Sequence, residues 1–295
     1  MLLEQKRLRK KVALFKRIGF IGGNSQEIRT RRAITLTDLE AAYELVYQLF
    51  LAKDYIDATP EGIRLRSFEA LPEMATFVSE INGEIVGVMS IVPDSPDLGL
   101  PSDKAFRKEI DELRKQGRKV CEVTNLAIRR DRWNSGVFLS LAQPILAHAL
   151  SIDADDIFIA ISPGHAAFFE GVLQLEPWGD ARDYSKEKAD TVEGKRWDLR
   201  SLEASLLEAD GLLGEDAFLH DHFFAKNSHH HYVRSWAALA RRVFTEPEPL
   251  RRLFAERSPL LSRCGSEVLD AIRRRWGDVV FDQVCSRETA AVGVA

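Results

Sequence analysis

The sequence has few cysteines, and their spacing is unsuited to a metal site. Cys121, Cys264 and Cys285 are odd in number and far apart in a chain of 295 residues. Structural zinc sites usually take pairs of cysteine or histidine ligands a few residues apart, and a disulfide framework needs an even number of cysteines. The composition therefore argues against both, and we expect the chain to reside in a reducing cytoplasm.

Long hydrophobic runs and a strong net charge are also missing. No apolar run approaches the roughly 20 residues of a membrane-spanning helix, and the N-terminus lacks the apolar core of a secretory signal. The 41 basic and 45 acidic residues give a net charge of −4, which provides no overall attraction to nucleic acid. We therefore expect a globular chain without a nucleic-acid partner, of one long domain or two ordinary ones.

The N-terminal segment MLLEQKRLRKKVALFKRIGF is basic, with apolar residues interspersed. This pattern fits either an amphipathic helix on an anionic surface or a solvated, partly disordered leader. We favour the leader, and the glycines and polar residues of IGGNSQ (21–26) then predict a linker. Residues 1–27 are accordingly assigned to a basic leader and linker, with peripheral membrane contact as the alternative.

From residue 28 onward, short strand patterns alternate with helical ones. IRTRRAI predicts a strand, and Thr37 and Asp38 offer a helix cap before LEAAYELVYQLFLAKDYI. Asn82 and Gly83, between two apolar runs, predict a hairpin. KVCEVTNLAI, DDIFIAIS and KRWDLRS predict further strands with helices between them, one of which is kinked or interrupted at Pro144. The fold class is α/β.

Beyond residue 200 the apolar spacing is helical throughout, so residues 201–295 are predicted to form a helical C-terminal region that acts as a lid or docking surface. A histidine-rich stretch, HDHFFAKNSHHH, lies in this region. Histidine beside aspartate is suitable for zinc or iron, but the spacing matches no metal motif. We therefore expect a polar loop between helices and no metal.

The stretch CEVTNLAIRRDRWNSG places a carboxylate-bearing strand, a basic turn and a helix start in succession, an order that resembles the GNAT acyltransferase fold. Three blocks within residues 28–200 are together similar to the long-chain N-acyl amino acid synthases, GNAT-fold relatives of the acyl-homoserine-lactone synthases. The blocks are FEALPEMATFVSEINGEIVGVMSIVPDSPDLGLPSD, EVTNLAI and GHAAFFEGVLQLE. The resemblance implies a GNAT-like domain at 28–200, with a central mixed sheet flanked by helices.

The reaction that this resemblance implies moves a long-chain acyl group from acyl carrier protein to the α-amine of an amino acid. The donor is the acyl-phosphopantetheine of the carrier protein, and the route requires no metal or redox cofactor. Two alternatives stay open. One is an acetyltransferase that uses acetyl-coenzyme A on a small amine, and the other is a non-catalytic protein that binds acyl groups or other ligands.

The resemblance also assigns roles within the central strand. Glu122 matches the position of a base that frees the amine, whereas the bland alternative is a carboxylate paired with Arg118 or Arg129. Backbone N–H groups near Leu126 to Ile128 are expected to receive the oxyanion. The basic turn after the strand is expected to hold the donor's phosphate at the start of a helix and to attract an acidic carrier protein. Its residues are Arg129, Arg130, Arg132, Trp133 and Gly136.

Two requirements of the chemistry are less clearly met. Many GNAT enzymes protonate the leaving thiolate with a tyrosine in a Phe-Tyr-Glu block, but Phe169 occupies that position here. Water or another group then takes this role, and His165 is a candidate. An arginine suits the acceptor's carboxylate because its planar fork binds a carboxylate through two hydrogen bonds. The candidates are Arg31, Arg32, Arg64 and Arg66.

Overall fold

The computed structural model describes residues 2–19, 21, 27–133, 136–184 and 191–286. Its strands are β1 (Arg29–Arg32), β2 (Ala75–Ile81), β3 (Glu84–Pro93), β4 (Val120–Ile128), β5 (Asp156–Ile161), β6 (Glu176–Pro177), β7 (Arg182–Asp183) and β8 (Thr191–Asp198). Its helices are α1 (Leu2–Arg17), α2 (Leu36–Leu51), α3 (Asp103–Lys115), α4 (Val137–Ser151), α5 (Ala166–Gly171), α6 (Leu202–Leu213), α7 (Val233–Val243), α8 (Pro247–Arg251), α9 (Leu260–Arg263), α10 (Ser266–Trp276) and α11 (Asp278–Cys285). Most of the predicted linker at 21–26, and Asn134 and Ser135 of the basic turn, lie outside the described residues.

The strands form one mixed sheet in the order β1-β2-β3-β4-β5-β8-β6, and β7 also pairs with β8. β4 and β5 run parallel, whereas the other described pairs are antiparallel. Helices cover both faces, with α4, α5 and α1 on one and α2 and α3 on the other. The predicted α/β class, a central mixed sheet flanked by helices and followed by a helical C-terminal region, is therefore confirmed.

The parallel strands β4 and β5 separate after only four paired positions. Their register runs from Val120 opposite Asp156 to Val123 opposite Ile159. β4 then contains a bulge, because its register with β3 shifts by one residue and Asn125 adopts a φ of 54°. A bulge bends its strand and increases the local twist. The second half of β4 is therefore left without a partner on the β5 side.

The bulge also reverses which side chains face which side of the sheet. Before the bulge, Cys121 and Val123 belong to the hydrophobic cluster on the α4 face, while Glu122 points to the α3 side, where Ser102 contacts it. After the bulge, Leu126 and Ile128 pack on the α4 face. Side chains alternate strictly along a regular strand, so the inserted residue causes this change of parity.

Local signals gave the hairpin correctly but misplaced one helix cap. Asn82 and Gly83 have φ values of 53° and 79°, the left-handed conformations that a two-residue hairpin turn requires. Helix α2, however, is capped by Thr35, whose hydroxyl accepts a hydrogen bond from the Asp38 backbone N–H. The prediction of a cap at Thr37 and Asp38 is wrong because the Asp38 carboxylate is instead paired with Arg31.

Helix α4 supplies the crossover between the parallel strands. It begins at Val137 after Gly136, which has a φ of 79° that favours glycine. It then runs to Ser151 through Pro144, so the predicted interruption does not occur. Its buried face packs against β2 and β3, which offsets the backbone hydrogen bond lost at the proline.

The N-terminal segment is a packed helix, which corrects the expectation of a solvated leader. Val12 of α1 is fully buried and Leu8 nearly so, and both join the cluster on the α4 face. Lys16 pairs with Asp216 at 2.8 Å, and Arg9 donates to the carbonyl oxygen of Leu212 at 3.0 Å. Sequence spacing alone could not reveal this because α1 packs on α6, some 200 residues away. Among the described helices, none is both long and apolar enough to cross a membrane.

The C-terminal helices pack against the opposite face of the sheet. Leu250 and Phe254 are fully buried in a cluster that includes Val78 and Val88 of the central strands. The indole N–H of Trp276 donates to the carbonyl oxygen of Ala70 at 2.8 Å. The described part of residues 201–295 therefore shares hydrophobic cores with the sheet, while the boundaries assigned at 27/28 and 200/201 stay predictions.

We expect Trp276→Ala to lower the free energy of unfolding by about 3 to 5 kcal/mol, because it removes a buried aromatic side chain and leaves the Ala70 carbonyl without its donor. Val279→Ala, at a position 72% exposed on the next helix, should change it by less than about 0.5 kcal/mol. Urea unfolding followed by circular dichroism measures both. An early transition confined to the C-terminal helices, with the remaining transition unshifted, would contradict a core shared with the sheet.

Candidate active site

A cavity of about 550 Å³ lies where β4 and β5 separate. Its walls include Glu122 to Ile128 of β4 and Ile159 to Ile161 of β5. Side chains from both faces of the sheet reach it, since α2 contributes Leu49 and Phe50 while α4 and α5 contribute further aromatic rings. The cavity therefore joins the two faces through the gap between the strands.

Glu122 lies on this cavity and is 2% exposed. One carboxylate oxygen accepts the Ser102 backbone N–H at 2.8 Å, and the other accepts the Ser102 hydroxyl at 2.8 Å. Burial raises the pKa of Glu122 to about 7, although both bonds from Ser102 favour the charged form. A carboxylate with a pKa near neutrality is suited to proton transfer at physiological pH.

The alternative, purely structural role for Glu122, an ion pair with an arginine, does not occur among the described residues. Arg118 pairs with Asp156 at 2.5 Å and with Asp198 at 2.6 Å. Arg129 pairs with Glu84 and with Asp131. Both arginines are thus engaged by other carboxylates, and neither is an ion-pair partner of Glu122.

The four arginines considered for the acceptor's carboxylate differ in their partners. Arg31 makes ion pairs with Asp38 at 2.7 Å and with Glu80 at 2.5 Å. Arg32 is buried and donates to the carbonyl oxygen of Met74. Arg66 pairs with Glu69 at 2.6 Å. Arg64 is the member of this set that lines the cavity, and no described carboxylate lies within ion-pair distance of it.

Arg64 is held at the cavity by contacts with neutral groups. It donates to the side-chain oxygen of Asn125 at 2.6 Å, and its guanidinium lies 4.9 Å from the centre of the Phe50 ring. Burial and the nearby charge of Arg66 lower the pKa of Arg64 to about 9. While Glu122 is protonated, Arg64, Arg66 and Glu69 together carry one net positive charge, which favours an anion near Arg64.

The unpaired edge of β4 presents backbone donors to the cavity. The N–H of Arg129 donates to the carbonyl oxygen of Val86 at 2.9 Å. Successive residues of an antiparallel strand turn their N–H groups to opposite sides. The N–H of Ile128 therefore points away from β3, toward the side that β5 has left. Leu126, in the bulge, also lines the cavity.

The arginines of the basic turn are partly engaged in ion pairs, which the sequence did not indicate. Arg132 lies 3.4 Å from Asp131, which also pairs with Arg129. Arg130 is exposed, lines the cavity and has no ion-pair partner among the described carboxylates. Trp133 lies at the same rim, 5.8 Å from His165 and 5.9 Å from the ammonium of Lys53. Arg130, Trp133 and His165 thus meet at one end of the cavity, and Gly136 starts the adjoining helix.

The α4 side of the cavity is lined by aromatic rings. Phe169 packs edge-on against Phe138 at 5.6 Å and against Phe168 at 5.6 Å, and Phe15 of α1 packs on Phe168 at 4.8 Å. His165, four residues before Phe169, lies nearer the rim, and burial lowers its pKa. This wall contributes packing surface and, at Phe169, no hydroxyl.

Several cavity residues were not identified from the sequence. Tyr184 lines the cavity, and burial together with the negative charge of Glu122 raises its pKa to about 12. The Tyr55 hydroxyl lies 3.3 Å from that of Ser162, and both line the rim. Phe15 and Ile18 arrive from the N-terminal helix. Only the turn that follows each strand offered a sequence signal for Ser162 and Tyr184, since loops after strands often carry functional residues.

The histidine-rich stretch takes part in contacts between helices. The imidazole of His222 lies 3.0 Å from the carbonyl oxygen of Leu139 in α4, and that of His220 lies 3.1 Å from Glu203 in α6. The ring of His229 lies 5.4 Å from that of Trp236, tilted by 48°. Within the described residues, no three histidine, cysteine or acidic side chains converge as metal ligands.

Comparison with known proteins points to one family. The model of the family described as N-acyl amino acid synthase FeeM matches residues 41–193, just over half of the chain. The structure of FeeM, an N-acyl amino acid synthase from uncultured soil microbes, aligns at 21% identity with a TM-score of 0.54, covering 61% of this chain and 94% of that one. The AHL synthase LasI aligns at 12% identity with a TM-score of 0.45, covering 59% and 91%. Curated proteins yield no match.

The matched segment extends from α2 into β8 and contains Glu122, the bulge of β4 and the aromatic wall of α5. The structural alignment with FeeM supports the same fold independently of the family model. The chain therefore belongs to the FeeM N-acyl amino acid synthase family and is an acyltransferase.

Proposed function

We propose that the chain moves a long-chain acyl group from acyl carrier protein to the α-amine of an amino acid. The observation that carries this proposal is the cavity at the β4–β5 gap. On one side it has a carboxyl group whose pKa is near 7 and an arginine without an ion-pair partner among the described carboxylates, and on the other it has four phenylalanines. An acceptor with a charged head suits the first side. A long acyl chain suits the second, because burial of each methylene is favourable by about 0.8 kcal/mol.

The residues at the gap can carry the steps of this reaction. Glu122 takes a proton from the acceptor's ammonium, directly or through water, and the freed nitrogen attacks the thioester carbon. Backbone N–H groups on the open side of β4, at Leu126 and Ile128, hold the oxygen as it becomes negative. The C–S bond then breaks, and the second amine proton passes to solvent water as the amide forms. An ordinary thiol has a pKa of about 8.5, so the departing thiolate takes a proton from water without a dedicated acid at position 169.

The acceptor is proposed to be an amino acid because Arg64 lies on the same side of the cavity as Glu122. Asn125, which binds Arg64, is three residues along β4 from Glu122, a separation of about 10 Å in an extended strand. The side chains of Arg64 and Glu122 themselves span several ångströms of this distance. One small molecule can therefore place its carboxylate at Arg64 and its amine near Glu122 at the same time.

Acyl carrier protein is preferred over coenzyme A as the donor on grounds of charge. The carrier's phosphopantetheine brings one phosphate to the rim, whereas coenzyme A brings three. The rim offers Arg130 and Lys53, while Arg129 and Arg132 are engaged by Asp131. A cationic rim also attracts an acidic carrier protein during approach.

The first test is mass spectrometry of products formed by the purified protein with a mixture of amino acids and either acyl carrier protein thioesters or coenzyme A thioesters. We expect N-acyl amino acids with the carrier-bound donor, and a loss of about 100-fold or more in Glu122→Gln. Glu112→Gln, on the exposed face of α3, is the matched control and should keep full activity. Acetylated small amines formed only from acetyl-coenzyme A would replace the proposal with the acetyltransferase alternative.

The raised pKa of Glu122 predicts how stability depends on pH. Because the folded protein retains a proton on Glu122 that the unfolded chain loses above about pH 4.5, the protein is destabilised as the pH rises from about 4.5 to about 7. Relative to Glu122→Gln, wild type should lose about 3 kcal/mol of unfolding free energy across this range. Urea denaturation at several pH values measures the difference. Parallel pH profiles for the two proteins would show that the pKa of Glu122 is ordinary.

The role of Arg64 is tested with pairs of acceptors. We expect Arg64→Met to raise the KM for an amino acid by about 10- to 100-fold, since it removes a charged hydrogen bond, while the decarboxylated amine of the same amino acid is unaffected. Arg64→Lys should lose part of the effect, because lysine keeps the charge without the planar fork. Arg234→Met, on an exposed helix face, serves as the control. Equal losses for both acceptors would mean that Arg64 only supports the fold.

A further inference from the structure

Helix α1 contributes to the cavity although it lies outside the segment that matches the family model. Phe15 near its C-terminal end and Ile18 in the following turn both line the cavity. Phe15 completes the aromatic wall by packing on Phe168 with ring centres 4.8 Å apart. The apolar side of the cavity is thus lined in part by a segment of the chain that precedes the sheet.

The helix is attached on two sides. Leu8, Val12 and Phe15 follow one face at helical spacing and join the cluster on the α4 side. Close packing brings α1 against α5, since a Cβ added at Gly171 would lie 2.0 Å from the ammonium nitrogen of Lys11. The ion pair of Lys16 with Asp216 then fixes the end that carries Phe15. This wall is therefore part of the packed fold.

We propose that α1 closes the acyl-chain subsite and that the ring of Phe15 limits the length of the chain it accepts. The inference rests on the proposed function for the identity of the ligand as an acyl chain. The polar side of the cavity is unsuited to the chain, because covering the charged groups of Glu122 and Arg64 with methylene groups would take them out of water without compensation. Binding of the chain on the aromatic side has no such cost. Among the aromatic rings of that wall, α1 supplies Phe15.

A packed wall discriminates chain length in both directions. A chain that is too short leaves part of the apolar surface unfilled, and one that is too long must displace a ring that is held by its neighbours. In hydrophobic enzyme pockets, one methylene changes selectivity by roughly 10-fold or more. The volume of the side chain at position 15 should therefore set the preferred chain length.

The test compares wild type with Phe15→Ala and Phe15→Trp. Each protein is titrated with saturated fatty acids from octanoic to hexadecanoic acid by calorimetry, and each is offered an equimolar mixture of carrier-bound acyl thioesters of the same lengths. We expect the smaller side chain to move the preference to longer chains and the larger one to move it to shorter chains, by roughly 10-fold in relative affinity per methylene. Shifts of opposite sign cannot result from partial unfolding.

Leu14→Ala is the matched control, since Leu14 is the preceding residue of α1, is 45% exposed and does not line the cavity. It should leave the preference unchanged. Unaltered preferences in both Phe15 variants would overturn the inference, even if wild type forms N-acyl amino acids. Conversely, shifted fatty-acid binding without any acylated product would retain the subsite and refute the proposed reaction.

Discussion

The separation of β4 from β5 is the constraint on which the site depends. Parallel strands normally continue their hydrogen bonds until one of them ends, but here the bulge at Asn125 turns β4 away after Val123. The bulge is stabilised by the Asn125 side chain, which donates to Glu69 at 3.0 Å and accepts from Arg64. The backbone N–H groups beyond it that point away from β3 have no partner strand among the described residues, and they are available to a ligand because the sheet is open there.

One inserted residue also explains why the cavity is polar on one side and apolar on the other. Because the bulge changes the parity of β4, Glu122 and Thr124 face α3 and Arg66, whereas Leu126 and Ile128 face the phenylalanines. A regular strand would have continued Glu122's face through Leu126 and Ile128. The gap between strands then joins the two environments at the point where the proposed thioester would lie between its acyl chain and its acceptor.

The sequence predicted what local patterns determine and missed what distant partners determine. The hairpin at Asn82 and Gly83 follows from two adjacent residues, and the order of strands and helices follows from periodicity. The sequence could not identify Arg64, rather than Arg31, as the arginine available to an acceptor's carboxylate. The distinction depends on Glu80, which pairs with Arg31 across the sheet. The packing of α1 was missed for the same reason, since its partner surface on α6 is distant along the chain.

Phe169 is consistent with this division of the cavity. A tyrosine there would place a hydroxyl on the apolar side, among Phe138 and Phe168, where an unsatisfied polar group costs about 1 to 3 kcal/mol. A small acyl group would leave room for water or a thiol to bond that hydroxyl, but a long chain along the wall would not. A departing thiolate needs little help at neutral pH. The phenyl ring therefore favours chain binding over proton donation, as the proposed substrate requires.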